Sequence, residues 1–209
     1  MRIGKFLVIT SVGLFTALAA SAQLQLSASG SYLQGVGDND AGLWGGGIGM
    51  KGFIGQNFAL GARLSSYPKK TSAKVTNDGS DYNESDLVTN AVATVDLLLG
   101  KKTTPVQPYI GVDLGASFNN HTITYTNAGA QFIENKNENT YFLLSPKAGL
   151  NFGIGQAFGV FGQAQYNVTF GNGKTISIDD VPNPFTSEAV SKFFTFDAGI
   201  YFRLSPSKK

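Results

Sequence analysis

Cysteine is absent from all 209 residues, so this chain has no route to a disulfide framework, a thiolate metal site or a lipid-modified cysteine anchor. Charge is scarce as well. Asp, Glu, Lys and Arg together make up 14% of the chain, where a soluble domain carries about a quarter. Something other than water must therefore cover part of the surface. Histidine occurs once, as His121. After residue 22 no stretch approaches about 18 consecutive apolar residues, so no membrane-crossing helix is expected.

The first 22 residues differ from the rest. Arg2 and Lys5 give a basic start, Phe6 to Ala20 are apolar, and Ala20-Ser21-Ala22 is a small-residue cleavage site before Gln23. This pattern predicts a cleaved secretory signal peptide over 1–22, because the apolar run is too short for an ordinary spanning helix. Of 16 basic residues two lie in that leader, leaving 14 basic residues against 14 acidic ones. A net charge of zero removes the support for nucleic-acid binding.

What remains is rich in glycine (26 residues) and in aromatics (12%), and it alternates with period two. In 158–170, Phe158, Val160, Ala164, Tyr166, Val168 and Phe170 share one face, and Gln163, Gln165, Asn167 and Thr169 share the other. In the last segment Phe194, Phe196, Ala198, Ile200, Phe202 and Leu204 oppose Thr195, Asp197, Tyr201 and Arg203. Such alternation is a strand with one apolar and one polar face. Six earlier segments follow the rule: 24–36, 42–54, 58–67, 86–99, 108–118 and 140–154. Most exceed the five or six residues common in globular strands and reach the roughly nine to eleven that a tilted bilayer-spanning strand needs. Pro146 lacks the N–H of a paired strand, so a bulge or local break is expected there.

Connections alternate in length. Gly55-Gln56-Asn57, 101–107 and Gly155-Gln156-Ala157 are short, whereas 67–85, 119–139 and 171–191 are longer and polar, with a brief 37–41 between the first two strands. Short turns on the periplasmic side and long loops outside are the arrangement of outer-membrane barrels. Two aromatic girdles are predicted at the bilayer boundaries: Phe53, Phe58, Tyr109, Phe152, Phe158 and Phe202 at the periplasmic end, and Trp44, Tyr67, Phe118, Tyr141, Phe170 and Phe193 at the outer end.

Lys51, Arg63, Asp96, Asp113, Lys147, Asp197 and Arg203 lie on the polar faces, about one per strand. Spread singly among small residues, they suit a narrow interior in which opposite charges pair. An eight-stranded interior is just filled by side chains, so a plugged lumen is expected rather than a channel. The fold class expected is therefore all-β: an eight-stranded antiparallel up-and-down transmembrane β-barrel over 23–205, after the signal peptide and before a tail at 206–209.

The strand alternation, the loop asymmetry and the final segment Phe194 to Leu204 resemble the family of small outer-membrane β-barrel proteins, OmpA-like and OmpX-like, over nearly all of 23–205. The resemblance implies residence in the bacterial outer membrane. It also implies contact with its lipids and lipopolysaccharide, and delivery by barrel-assembly machinery that reads an aromatic-terminated last strand. Here Phe202 and Leu204 are followed by a tail ending in Lys208-Lys209, and the peptidoglycan-binding domain of some members is not expected.

Candidate chemistry is sparse. Some lipid A-modifying enzymes are eight-stranded barrels with His and Ser at the rim, but His121 is followed by Thr122 and Ile123 and lacks their His-x-Ser pattern. It reads as an exposed loop residue. Gly153-Ile-Gly155-Gln-Ala-Phe-Gly159 reads as a hairpin turn, because no helix follows as a dinucleotide fingerprint requires. Gly45-Gly46-Gly47 reads as close packing within a strand. Asp38 with Asp40, and Asp179 with Asp180, are acidic loop pairs without a ligand framework. No catalytic, cofactor or metal site is assigned. The function expected is structural or surface-interacting, through a partner that contacts loops 67–85, 119–139 or 171–191. Residues 119–139 keep enough alternation to continue their hairpin beyond the bilayer. A small-solute pore, a lipid A-modifying enzyme and a soluble periplasmic binding barrel are the alternatives.

Overall fold

The computed structural model describes residues 23–36, 42–75, 80–100, 104–127, 130–155, 157–171 and 192–204. The expected signal peptide and C-terminal tail lie outside them, as do the Asp38/Asp40 and Asp179/Asp180 pairs and nearly all of 171–191. Eight strands follow in chain order: β1 (Leu24–Gly35), β2 (Leu43–Ile54), β3 (Phe58–Val75), β4 (Ser80–Leu98), β5 (Val106–Asn127), β6 (Ala130–Gly153), β7 (Phe158–Phe170) and β8 (Lys192–Leu204). Each pairs antiparallel with its sequence neighbour, and β1 pairs with β8 from Leu24↔Leu204 to Gly35↔Phe193, closing the barrel.

The period-two pattern decides which side faces where. Phe196, Ile200, Leu114, Ile48 and Leu64 project outward and are exposed, whereas Asp96, Asp113, Asp197 and Gln165 point inward and are buried. The wall is apolar outside and polar inside, the reverse of a soluble barrel. An apolar belt of this extent does not stay in water.

The strands fall into two length classes. β1, β2, β7 and β8 have 12 or 13 residues, close to what one bilayer crossing needs. β3 to β6 have 18, 19, 22 and 24. The pairing of β2 with β3 stops at Gly46↔Ser66 and that of β6 with β7 at Phe142↔Phe170, so the rest of β3–β6 continues as a four-stranded sheet beyond the closed ring.

This corrects two of the expected loops. Of these, the described residues 67–75, 80–85, 119–127 and 130–139 are all strand. Above the apolar belt both faces of a strand meet water, so the hydrophobic alternation that reveals a strand disappears while the backbone ladder continues. The β5–β6 hairpin does run on past the ring, with a register shift between Tyr125 and Thr126.

Pro146 pairs with Val112 on β5, but the β6–β7 ladder skips from Leu144↔Val168 to Lys147↔Gln165. The missing N–H interrupts one ladder locally and leaves the register unchanged on both sides. At the short-turn end Gly55 takes φ +65°, a left-handed backbone that glycine adopts without strain. Gly199 serves closure instead: a Cβ there would meet the Ala28 carbonyl oxygen at 2.1 Å and the Ser29 Cα at 2.8 Å across the β1–β8 seam. Replacing it with valine must push the seam apart, whereas Gly30 on the outward face has open space around it. Gly199→Val is expected to lose the compact, SDS-resistant form seen on unheated gels, and Gly30→Ala to retain it.

Candidate functional site

The lumen holds the polar faces that the strands turn inward, and it is layered. In the middle runs a chain of ion pairs with alternating sign. Lys51 Nζ lies 2.5 Å from Asp96 Oδ2, and the Asp96 Oδ1 is 2.9 Å from Lys147 Nζ. The same ammonium reaches Asp113 Oδ1 at 2.6 Å. Asp113 Oδ2 is 3.5 Å from Arg63 Nη2, and Arg63 Nη1 ends the chain on Asp197 Oδ2 at 2.5 Å. Three cations and three anions from β2, β3, β4, β5, β6 and β8 are thus joined across the barrel axis with no net charge.

Neutral polar groups take up further valences, although Arg63 Nε is buried without a hydrogen-bond partner among the described residues. Arg63 Nη2 donates to Gln165 Oε1 at 2.5 Å, and Gln163 Nε2 donates to Asp197 Oδ2 at 2.6 Å. Lys147 also donates to Thr94, and the Ser31 hydroxyl to Asp197. Tyr109 donates to Gln163 Oε1 at 2.7 Å. Asn167 bridges strands by accepting from Ser145 at 2.6 Å and donating to Thr195 at 2.8 Å. A charge buried this deeply is tolerable only when it is paired and hydrogen-bonded.

Of the seven charged residues read from the polar faces, six meet in this chain. Arg203 stands apart. Its guanidinium donates to Gln25 Oε1 at 3.0 Å and Gln107 Oε1 at 3.1 Å and lies over the rings of Phe53 and Tyr201. Gln163 and Gln165 were visible on the polar face of 158–170, but only the register shows which charge each one meets.

Apolar clusters lie at both ends of the ionic layer. Phe53, Ala59, Leu98 and Tyr109 pack at the short-turn end, and Leu33, Tyr67, Val92, Leu143 and Phe193 toward the opposite end. The girdle assignment is corrected here. Phe53, Tyr67, Tyr109, Tyr141 and Phe193 are inward and buried, while Trp44, Phe58, Phe118, Phe152, Phe158, Phe170 and Phe202 are exposed on the outer wall. The inward rings share the parity of the charged positions, and that parity, not nearness to a strand end, sets their side. Glycines make room for them: a Cβ on Gly45 would strike the Tyr67 ring at 2.6 Å, and one on Gly149 the Tyr109 ring at 2.5 Å. The triple glycine is therefore close packing, as its composition suggested.

His121 is not a loop residue. It lies within β5, directly opposite Asp86 of β4, on the sheet beyond the ring. Its Nδ1 is 2.5 Å from Asp86 Oδ1 and 3.8 Å from Glu84 Oε1. The Ser117 hydroxyl donates to Asn119 at 3.3 Å. Nothing in the sequence near His121 announced these carboxylates; Asp86, 35 residues away, arrives through the register.

The ionic layer makes a definite energetic prediction. Lys147→Met strands Asp96 and Asp113 with one cation fewer and is expected to cost about 3–5 kcal/mol. Adding Asp113→Asn leaves two neutral pairs, Lys51–Asp96 and Arg63–Asp197, and is expected to recover most of that loss. Urea unfolding followed by the fluorescence of Trp44, the single tryptophan, reads both.

No protein-family model matches this chain, and no curated protein matches it in sequence. Solved structures do resemble it. A major outer membrane protein from Thermus thermophilus superposes with a TM-score of 0.60 at 12% identity, over 88% of this chain and all (100%) of that one. Ail, the attachment invasion locus protein of Yersinia pestis, crystallised with the heparin analogue sucrose octasulfate, gives 0.52 at 11% identity, over 88% of this chain and 97% of Ail. The crystal structure of Ail alone gives 0.51 at 13% identity, with the same coverage of both chains. The fold of this chain is that of the small eight-stranded barrels of bacterial outer membranes.

Proposed function

We propose that this chain is a surface-interaction protein seated in the bacterial outer membrane, a sealed barrel that anchors and displays the β3–β6 sheet. One observation carries the reading. The lumen is crossed by a neutral, fully paired chain of six charges lying between two apolar clusters, while the outer wall is apolar. Such a wall belongs in hydrocarbon, and such an interior supports a lumen without a continuous aqueous path. What such a barrel offers to its surroundings is the part beyond the ring.

The partners follow from that surface. Lys69 and Lys70, on β3 above the ring and exposed, suit the anionic headgroups of lipopolysaccharide. The edges of the β3–β6 sheet beyond Ser66 and Phe142, together with the 171–191 connection, suit a surface protein that adds a strand. The aromatic strand β8 suits delivery by barrel-assembly machinery. Ail, a barrel of the same fold, is named for attachment, which agrees with a role in contact at the cell surface.

Two measurements test the reading. Membranes washed at high pH are expected to keep the protein until detergent is added, and release into plain buffer refutes the membrane seat. Reconstituted into a planar bilayer in concentrated KCl, the protein is expected to show no conductance steps. Regular steps from the unmodified protein refute the sealed lumen and favour the pore.

A further inference from the structure

Outside the lumen, the described residues hold one group of potential metal ligands: Glu84, Asp86 and His121. All three share the parity of the lumen-facing positions of β4 and β5, but they lie beyond the ring. There, among the described residues, β3 to β6 continue past the ends of the β2–β3 and β6–β7 ladders. Asp86 and His121 are direct cross-strand partners, and Glu84 is the diagonal neighbour two residues along β4. At that spacing side chains from an antiparallel pair can converge on one point.

The convergence is close. One ligand atom from each residue can be chosen so that all lie within 4.8 Å of one another. The two measured approaches, 2.5 Å for Asp86 and 3.8 Å for Glu84, are both to the same ring nitrogen, Nδ1. Tetrahedral zinc with bonds of about 2.0–2.2 Å holds its ligand atoms about 3.3 Å apart, and the two approaches bracket that value. Two carboxylates turned toward one another on the same face of one strand repel unless a cation lies between them. The nearest fixed cation by register is Lys69, the β3 partner of Asp86, whose side chain is exposed. The three ligand side chains are themselves 19–25% exposed, within reach of ions in the surrounding medium.

We infer that Glu84, Asp86 and His121 form a binding site for a divalent transition-metal ion of the zinc class, which clips β4 to β5 in the sheet beyond the barrel. One imidazole with two carboxylates is a borderline nitrogen–oxygen donor set. It suits zinc and its neighbours better than calcium or magnesium, which take more ligands and only oxygen. Three protein ligands leave a fourth position for water or for a group on a partner. Binding places the metal on Nδ1, where the imidazole must be unprotonated, and neutralises both carboxylates.

That His121 is the only histidine makes the test direct. The full-length mature chain is folded into lipid nanodiscs with ¹⁵N-labelled histidine and titrated with zinc chloride. One zinc per chain is expected to move the Nδ1 resonance. Asp86→Asn and Glu84→Gln are each expected to weaken binding at least tenfold while the barrel keeps its SDS-resistant form, since neither residue belongs to the closed ring. The proposal is overturned by an Nδ1 signal that follows pH but ignores zinc, which marks the occupant as a proton alone. It is equally overturned by variants that bind zinc as tightly as the parent chain.

Discussion

Hydrocarbon offers no hydrogen bonds, so a strand wall can sit in it only if every backbone N–H and C=O is paired within the wall. For this chain that demand is met at the β1–β8 seam, where Leu24 to Gly35 pair in register with Leu204 to Phe193. Without the seam two long edges stay open, and the apolar outer face has no stable place. Closure explains why Gly199 is a glycine: the seam brings Ala28 and Ser29 too close for any side chain. It also explains the treatment of Pro146. With no free edge available, the missing donor is absorbed as a local gap in the β6–β7 ladder.

Closing the wall forces the polar faces into a narrow tube, and the tube then dictates its own chemistry. Lone charges there would be very costly, so they alternate in sign from Lys51 to Asp197 and share glutamine, threonine and serine partners. Buried ion pairs add little stability over apolar packing, but each member is costly to lose alone. Their arrangement therefore specifies register: a strand shifted by one residue would turn its charge into the lipid. Apolar clusters lie at either end of the ionic layer, and the tyrosines that contribute to them occupy space that glycines on neighbouring strands leave free.

Beyond the ring the constraint changes. β3 to β6 leave the apolar belt with water on both sides, and the outward positions no longer need to be hydrophobic. Polar and titratable groups are tolerated on either face, and the only histidine meets its two carboxylates in this region. The same fold thus combines a closed, apolar-walled barrel with a sheet whose surface chemistry is open to the medium.

The eight strands, their two faces, the side that meets lipid and the seven charges on the polar faces were legible in the residues, because period-two alternation across an apolar belt is imposed one residue at a time. The length of β3 to β6 was not, since where water bathes both faces nothing in the alternation marks a strand. Nor was the side taken by Phe53, Tyr67, Tyr109, Tyr141 and Phe193, whose parity points inward although their position near strand ends suggests a girdle. The order of the ionic chain, the separate seat of Arg203 and the meeting of His121 with Glu84 and Asp86 belong to the tertiary structure alone. A residue's own sequence neighbours determine which face it occupies. Which side chain it meets there depends on the register between strands, and that is settled only when the whole wall closes.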